Sequence, residues 1–275
     1  MGGSLHLHLS TISSGANLNT ITRAAELAQR LGAHVEATIS VIDVAPMSHW
    51  ASPYFAGAVL ELENDSRLRG EALASEVASI CKDHSVRHKV DTYVVSQQMD
   101  RRPALAARTH DFSIVGLADG DDDARRIVEE LVFNSGKPVL ILPAGQVQPL
   151  IFEKVFVAWD HSEPAARTLS LALPLLKRSK EVEVLTVDTG RVEGVPGAAR
   201  AAADYLGRHG VPAFPRTLSP DGRKVGVQLM ETALTDKASL LVMGAYGTPR
   251  ARELIFGGVT RTTLENPLLP LLIAN

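Results

Sequence analysis

The chain repeats itself, and this internal repeat constrains the fold more than anything else in the sequence. Phe112-Ser113-Ile114-Val115-Gly116 is echoed by Leu240-Leu241-Val242-Met243-Gly244. Lys137-Pro138-Val139-Leu140-Ile141-Leu142 is echoed by Asn266-Pro267-Leu268-Leu269-Pro270-Leu271-Leu272. The run from Ala33 to Asp43 is echoed by Glu181 to Asp188. The echoes fall in the same order in both halves, so the chain reads as two copies of one βα unit. Gly145, Gln146 and Pro149 break the pattern between them, which divides the chain into 1–146 and 147–275.

Within each copy, apolar runs of strand length alternate with segments of helical period, the pattern of a parallel sheet with helices on both faces. In the first copy strands are predicted at Leu5–Leu9, Val35–Ile42, Val90–Val95, Ser113–Gly116 and Val139–Leu142. Helices are predicted on Ile21, Ala24, Ala28 and Leu31, on Leu73, Val77 and Ile80, near Pro103–His110 and near Arg125–Asn134. In the second copy the strands are Lys154–Trp159, Glu181–Val187, Ala213–Leu218, the run at Leu240 and Leu268–Ile273. Pro215 restricts the third of these to a sheet edge. Ala166, Leu169, Leu173 and Leu176 mark a helix that Pro174 should kink or end early. Gly197–Arg208 is another helix, and Val227, Met230 and Leu234 mark the next. Pro46–Ala58 departs from the repeat. Its two prolines and its aromatics Trp50, Tyr54 and Phe55 read as a long loop packing on the domain, with a lid or partner surface as the alternative.

The chemistry concentrates at the end of the second copy. A strand ends at Gly244; Gly247 follows, then a stretch holding Arg250 and Arg252, then Gly257-Gly258-Val259-Thr260 at a helix start. Glycines let backbone approach a ligand without a Cβ in the way, and free helix N–H groups suit an anion, most often phosphate. Gly244, two residues, Gly247, nine residues and Gly257 resemble the nucleotide-binding loop of the universal stress protein family. In its ATP-binding members that loop closes with glycine and then Ser or Thr. Here Gly258 replaces the hydroxyl residue, with Thr260 two positions on.

The resemblance implies two tandem Rossmann-like α/β domains, each a five-stranded parallel sheet in the order 3-2-1-4-5, with helices on both faces. Its crevice would lie between the first and fourth strands of the second domain, where ligands sit in such sheets. Ala158-Trp159-Asp160 resembles the family's strand-end Asp, which would take hydrogen bonds from adenine or ribose. Asp160 could equally cap the helix beginning near Glu163. Val187 falls where the family contacts adenine through backbone. Met243 and Gly244 end the fourth strand, while Gly257, Gly258, Val259 and Thr260 would hold phosphate. Arg250 would neutralise it. The first copy fails the same test. Gly247 is matched by Asp119, the closing glycines fall on Glu129-Glu130 or Val128-Glu129, and the first strand leads into Ser10-Thr11-Ile12-Ser13-Ser14 without an Asp. That copy is expected to have lost nucleotide binding.

Asp119, Asp121, Asp123 and Glu130 match calcium-loop spacing, but Ala124 stands where a turn glycine is required, and the helix dipole explains acids at a helix start. Cys81, His84 and His88 have zinc-like spacing with no fourth ligand, so a buried thiol beside surface histidines is the reading. His6 and His8 share one strand face and are expected at an edge or on the surface. A net charge of −3 excludes an electrostatic footprint for nucleic acid or an anionic membrane, and no apolar run is long enough to span a bilayer. The single cysteine and the absence of a signal-like N-terminus suit a cytoplasmic protein. No Walker loop, serine elbow or paired-carboxylate motif appears, so an enzyme is not expected. The expected function is binding of ATP or another adenine nucleotide in the second domain of a stress-response regulator, with a protein client. The alternatives are a nucleotide-free scaffold and a slow ATPase. Single-domain family members pair through their terminal strands. Val139–Leu142 and Leu268–Ile273 are therefore expected to face each other across a pseudo-two-fold axis, kept short by Pro270.

Overall fold

The computed structural model of the chain describes residues 3–13, 17–42, 53–95, 101–145, 148–189, 197–245 and 258–275. The first half contains β1 (Ser4–Ser10), α1 (Asn17–Leu31), β2 (His34–Ile42), α2 (Pro53–Asp83), β3 (His88–Val95), α3 (Arg102–Ala107), β4 (Phe112–Leu117), α4 (Asp122–Asn134) and β5 (Val139–Pro143). The second contains β6 (Lys154–Ala158), α5 (Glu163–Leu176), β7 (Glu181–Val187), α6 (Ala198–Arg208), β8 (Ala213–Leu218), α7 (Val225–Thr235), β9 (Leu240–Gly244), α8 (Gly258–Glu265) and β10 (Leu271–Ala274).

Each half keeps the strand order 3-2-1-4-5, but the halves do not form separate sheets. All strands join one ten-stranded sheet, ordered β3-β2-β1-β4-β5-β10-β9-β6-β7-β8. The seam is antiparallel: Leu271 lies opposite Ile141, Leu272 opposite Leu140 and Ile273 opposite Val139. Every other pairing is parallel. β10 begins at Leu271 rather than Leu268, because Pro270 has no N–H to donate; its carbonyl still accepts from the Leu241 amide. All six seam side chains are buried, so pairing covers two apolar edges that would otherwise meet water.

Alternation along the strands sends side chains into two core layers that run across both halves. Leu5, Leu7, Leu9, Ala37, Ile39, Val155, Val157 and Val184 pack under α1, α2, α5 and α6. Val115, Leu117, Val139, Ile141, Phe156, Leu185 and Met243 pack under α3, α4, α7 and α8. Gly70 lets α2 lie close on β2, since a Cβ there would come within 2.6 Å of Val41.

Three expectations need correction. Helix α5 runs through Pro174 to Leu176. Proline leaves only the Ser170 carbonyl without its helical donor; Ser170 is exposed to water, while Leu175 and Leu176 are buried beyond it. The segment read as a loop over Pro46–Ala58 is helical from Pro53, a residue that serves as a helix start; its earlier part, with Trp50, lies outside the described residues. His6 and His8 lie on β1, which is flanked on both sides, and they are 0% and 3% exposed, not at an edge.

Candidate functional site

At the end of β6, the Trp159 amide donates to the Leu185 carbonyl (2.8 Å) and its own carbonyl accepts from the Thr186 hydroxyl (2.9 Å). The chain then turns sharply at His161, whose φ is +62°. Asp160 holds this turn: its Oδ1 accepts the Ser162 N–H at 3.0 Å. Ser162, not Asp160, caps α5, its Oγ accepting the Ala165 N–H at 3.2 Å. The Asp160 side chain is exposed at the strand end. The Trp159 indole N–H is buried and has no hydrogen-bond partner among the described residues.

Register places Ala158 beside Met243, so the end of β6 adjoins the end of β9 where the winding of this half reverses. Gly244 is demanded by packing. A Cβ there would lie 2.4 Å from the Ala165 nitrogen and 2.7 Å from the carbonyl carbon of Pro164, inside the first turn of α5. Gly258, by contrast, starts α8 without such crowding: a Cβ would meet nothing within 4 Å among the described residues. Val259 is half-buried against the second core layer, and its carbonyl would lie 2.8 Å from a Cβ on Gly226, so α7 and α8 pack tightly. Thr260 is buried rather than open to solvent, and Met243 and Val187 are buried in that layer.

The corresponding place in the first half is built differently. Only residues 118–121 separate β4 from α4, so the helix starts at Asp122, well before Glu129. Alignment by residue count or on the prolines therefore missed the equivalent position. Asp121 caps α4 through Oδ1, which accepts the Ala124 N–H at 2.9 Å, and its Oδ2 accepts the Ser13 hydroxyl at 2.5 Å. Asp123 accepts the Ser10 hydroxyl at 2.7 Å. The helix N-terminus thus carries its own carboxylate, and two hydrogen bonds tie the end of β1 and the segment after it to this helix start.

No protein-family model and no curated protein matches the chain. Solved structures do. A universal stress protein from Archaeoglobus fulgidus DSM 4304 superposes with a TM-score of 0.72 over 98% of this chain and 96% of that one, at 16% identity. The chain has the universal stress protein fold. A putative universal stress protein from Pseudomonas aeruginosa UCBPP-PA14 superposes with a TM-score of 0.56 over 98% of this chain and 92% of that one, at 12% identity. Both likenesses take in both halves, so the joined pair of units is part of what is shared.

Within this universal stress protein fold, the structure brings Ala158, Trp159, Asp160, Met243 and Gly244 together at adjoining strand ends, with Val187 at the end of the neighbouring β7. Gly258, Val259 and Thr260 open α8, but Gly247, Arg250, Arg252 and Gly257 lie outside the described residues. Of the calcium-like acids, Asp121 serves as cap and hydroxyl acceptor, Asp123 as hydroxyl acceptor and Glu130 as acceptor of the Asn134 amide, and no metal-holding group of His, Cys, Asp or Glu occurs among the described residues. Cys81 is buried, and burial pushes its thiol up to about 11, an unreactive setting. No described helix is long and apolar enough to cross a membrane.

Sequence reasoning missed a buried polar cluster on β1. His6 Nδ1 lies 3.0 Å from the Ser113 hydroxyl and Nε2 lies 2.8 Å from that of Thr38, which is also 3.0 Å from His8 Nδ1. Strand period put both histidines on one face; only topology puts that face inside.

Proposed function

We propose that the chain is a tandem universal stress protein that binds one adenine nucleotide, in its second half, as a non-catalytic regulator of the stress response. The observation that carries this reading is the contrast between the two strand-end crevices. In the second half Asp160 is exposed and Gly258 is uncrowded by any described residue at a helix start, while in the first the same helix end already holds the Asp121 carboxylate. An adenine ring or ribose would hydrogen-bond to Asp160 and to the backbone after Val187. Phosphate would lie toward Gly257 and Gly258, with Arg250 supplying positive charge. A glycine at 258 supplies no hydroxyl for that phosphate, so affinity rests on backbone N–H groups and charge. The single cysteine suits a cytoplasmic location, and a protein client would read the nucleotide state.

Equilibrium titration with ATP, ADP and AMP tests the reading. Saturable binding to the full chain is expected, and Gly257→Glu should abolish it by placing a carboxylate and its side chain where phosphate approaches. Absence of binding by all three nucleotides would leave a scaffold of the same fold. Phosphate release above a protein-free control would make the protein a slow ATPase.

A further inference from the structure

The two halves can be compared residue by residue through their registers. His6 lies opposite Glu36 and Ser113; in the second half Phe156 lies opposite Glu183 and Leu241. His8 lies opposite Thr38, where the second half pairs Ala158 with Leu185. His6, Thr38 and Ser113 therefore occupy the places of Phe156, Leu185 and Leu241, which are fully buried core side chains. A buried polar group costs free energy unless it is bonded, and an apolar alternative at these positions stands in the same molecule.

At His6 the described hydrogen-bond partners bring no compensating charge. His6 contacts two hydroxyls, which can accept from an imidazolium but carry no charge to offset it. The His8 ring is 6.3 Å away on the same strand and the His110 ring 5.6 Å away, just beyond α3. From β2, Glu36 is shared at 3.6 Å by His34 and His110 and makes no hydrogen bond to His6. From β3, Tyr93 lies 6.4 Å from the His8 ring with the Arg102 guanidinium 4.4 Å from its own ring, and Lys89 pairs with Asp91. Beyond α3, Asp111 is engaged by the Ser4 N–H. The opposite face of β1 meets the apolar stripe of α1. In the second half the residue matching Glu36 is handled with permanent cations: Glu183 is bound by Lys154 at 2.7 Å and Arg216 at 3.1 Å. Burial, then the neighbouring His8 and His110 rings, hold the His6 pKa well below the ordinary histidine range.

We propose that the first half is a proton-sensitive element, in which protonation of the buried His6 loosens the segment carrying α3 and His110 from the face of β1. The covering element is slight: α3 is a six-residue helix packed on β1 and α4. The sign follows from His6 binding its proton less readily in the folded state than in the unfolded chain. Stability is whole above the ordinary histidine pKa and is lost as pH falls below it, about tenfold in the opening equilibrium per pH unit for one proton. Acid would thus act on the half proposed to carry no nucleotide, independently of the ligand site.

Hydrogen–deuterium exchange on the full chain between about pH 5 and pH 8, corrected for the intrinsic rate, reads this directly. Peptides covering Ser4–Ser10 and Arg102–Leu117 should open about tenfold more per pH unit below the histidine range, while those covering β6 and β9 keep their protection. The triple variant H6F/T38L/S113L, which transplants the second half's side chains, should flatten that slope. If it fails to fold, His6→Gln keeps hydrogen-bonding capacity without the titrating ring and should reduce the slope. Protection independent of pH, equal acid slopes in the two halves, or an unchanged slope in the variant that folds would overturn the proposal.

Discussion

Gly244→Ala is the substitution whose outcome the structure constrains most tightly. The added Cβ would sit 2.4 Å from the Ala165 nitrogen, 2.7 Å from the Ala165 Cα and 2.7 Å from the Pro164 carbonyl carbon. Ordinary contact between such atoms begins at about 3.4 Å, so either the end of β9 or the start of α5 must move by roughly 1 Å. Neither can do so freely. Ser162 caps the helix, and the Thr168 hydroxyl, 3.1 Å from the Ala274 carbonyl, ties α5 to the end of β10. β9 is held on both sides, by β6 and β10. Overpacking of this kind costs about 2–3 kcal/mol, and at about 2–3 °C per kcal/mol for a chain of this size Tm should fall by about 4–9 °C. Differential scanning calorimetry at fixed pH checks this. An unchanged Tm would show that β9 and α5 do not approach as described, and would return Gly244 to the ligand.

Other outcomes follow from the same geometry. Gly258→Ala should leave stability unchanged or slightly raised, since its Cβ meets nothing, whereas Gly258→Ser should tighten nucleotide binding about tenfold by adding a hydroxyl hydrogen bond to phosphate; calorimetric titration of both variants separates space from chemistry. Burial raises the Glu129 carboxyl to about 7, partly countered by Arg125 and Arg126, so the folded state holds a proton that the unfolded chain has lost between about pH 4.5 and 7. Stability from this group therefore falls as pH rises through that window, and Glu129→Gln should raise Tm at pH 8 but not at pH 4.5. Separately expressed halves should self-associate or aggregate through their bare β5 or β10 edges and recover a heterodimer on mixing; light scattering that finds two indifferent soluble monomers would refute the seam's role.

The fold was legible where local pattern and position agree. β7 and β8 begin and end where alternation and Pro215 put them, and the seam was expected from the family resemblance, which pairs terminal strands, joined to two apolar terminal strands and one proline. It was illegible where tertiary contact decides. Nothing in the pattern of β1 tells an internal strand from an edge, so His6 and His8 could not be placed inside. Pro174 survives because Leu175 and Leu176 are buried beyond it, a packing fact. At the site, the glycine spacing located Gly244 and Gly258 but could not separate their tasks. One admits a helix; the other is uncrowded by any described residue. The first half's crevice was expected to be unsuited to phosphate, yet the residues that occupy it, Asp121 and Asp123, came to light only with the short connection between β4 and α4.

The central claim is that nucleotide binds in the second half alone, and exchange of the full chain with and without saturating ATP tests it most directly. Protection should rise at 158–165, 240–245 and 258–265, and stay unchanged at 9–13 and 117–124, with one ligand per chain by native mass spectrometry. New protection in the first-half peptides, or two ligands per chain, would contradict the account.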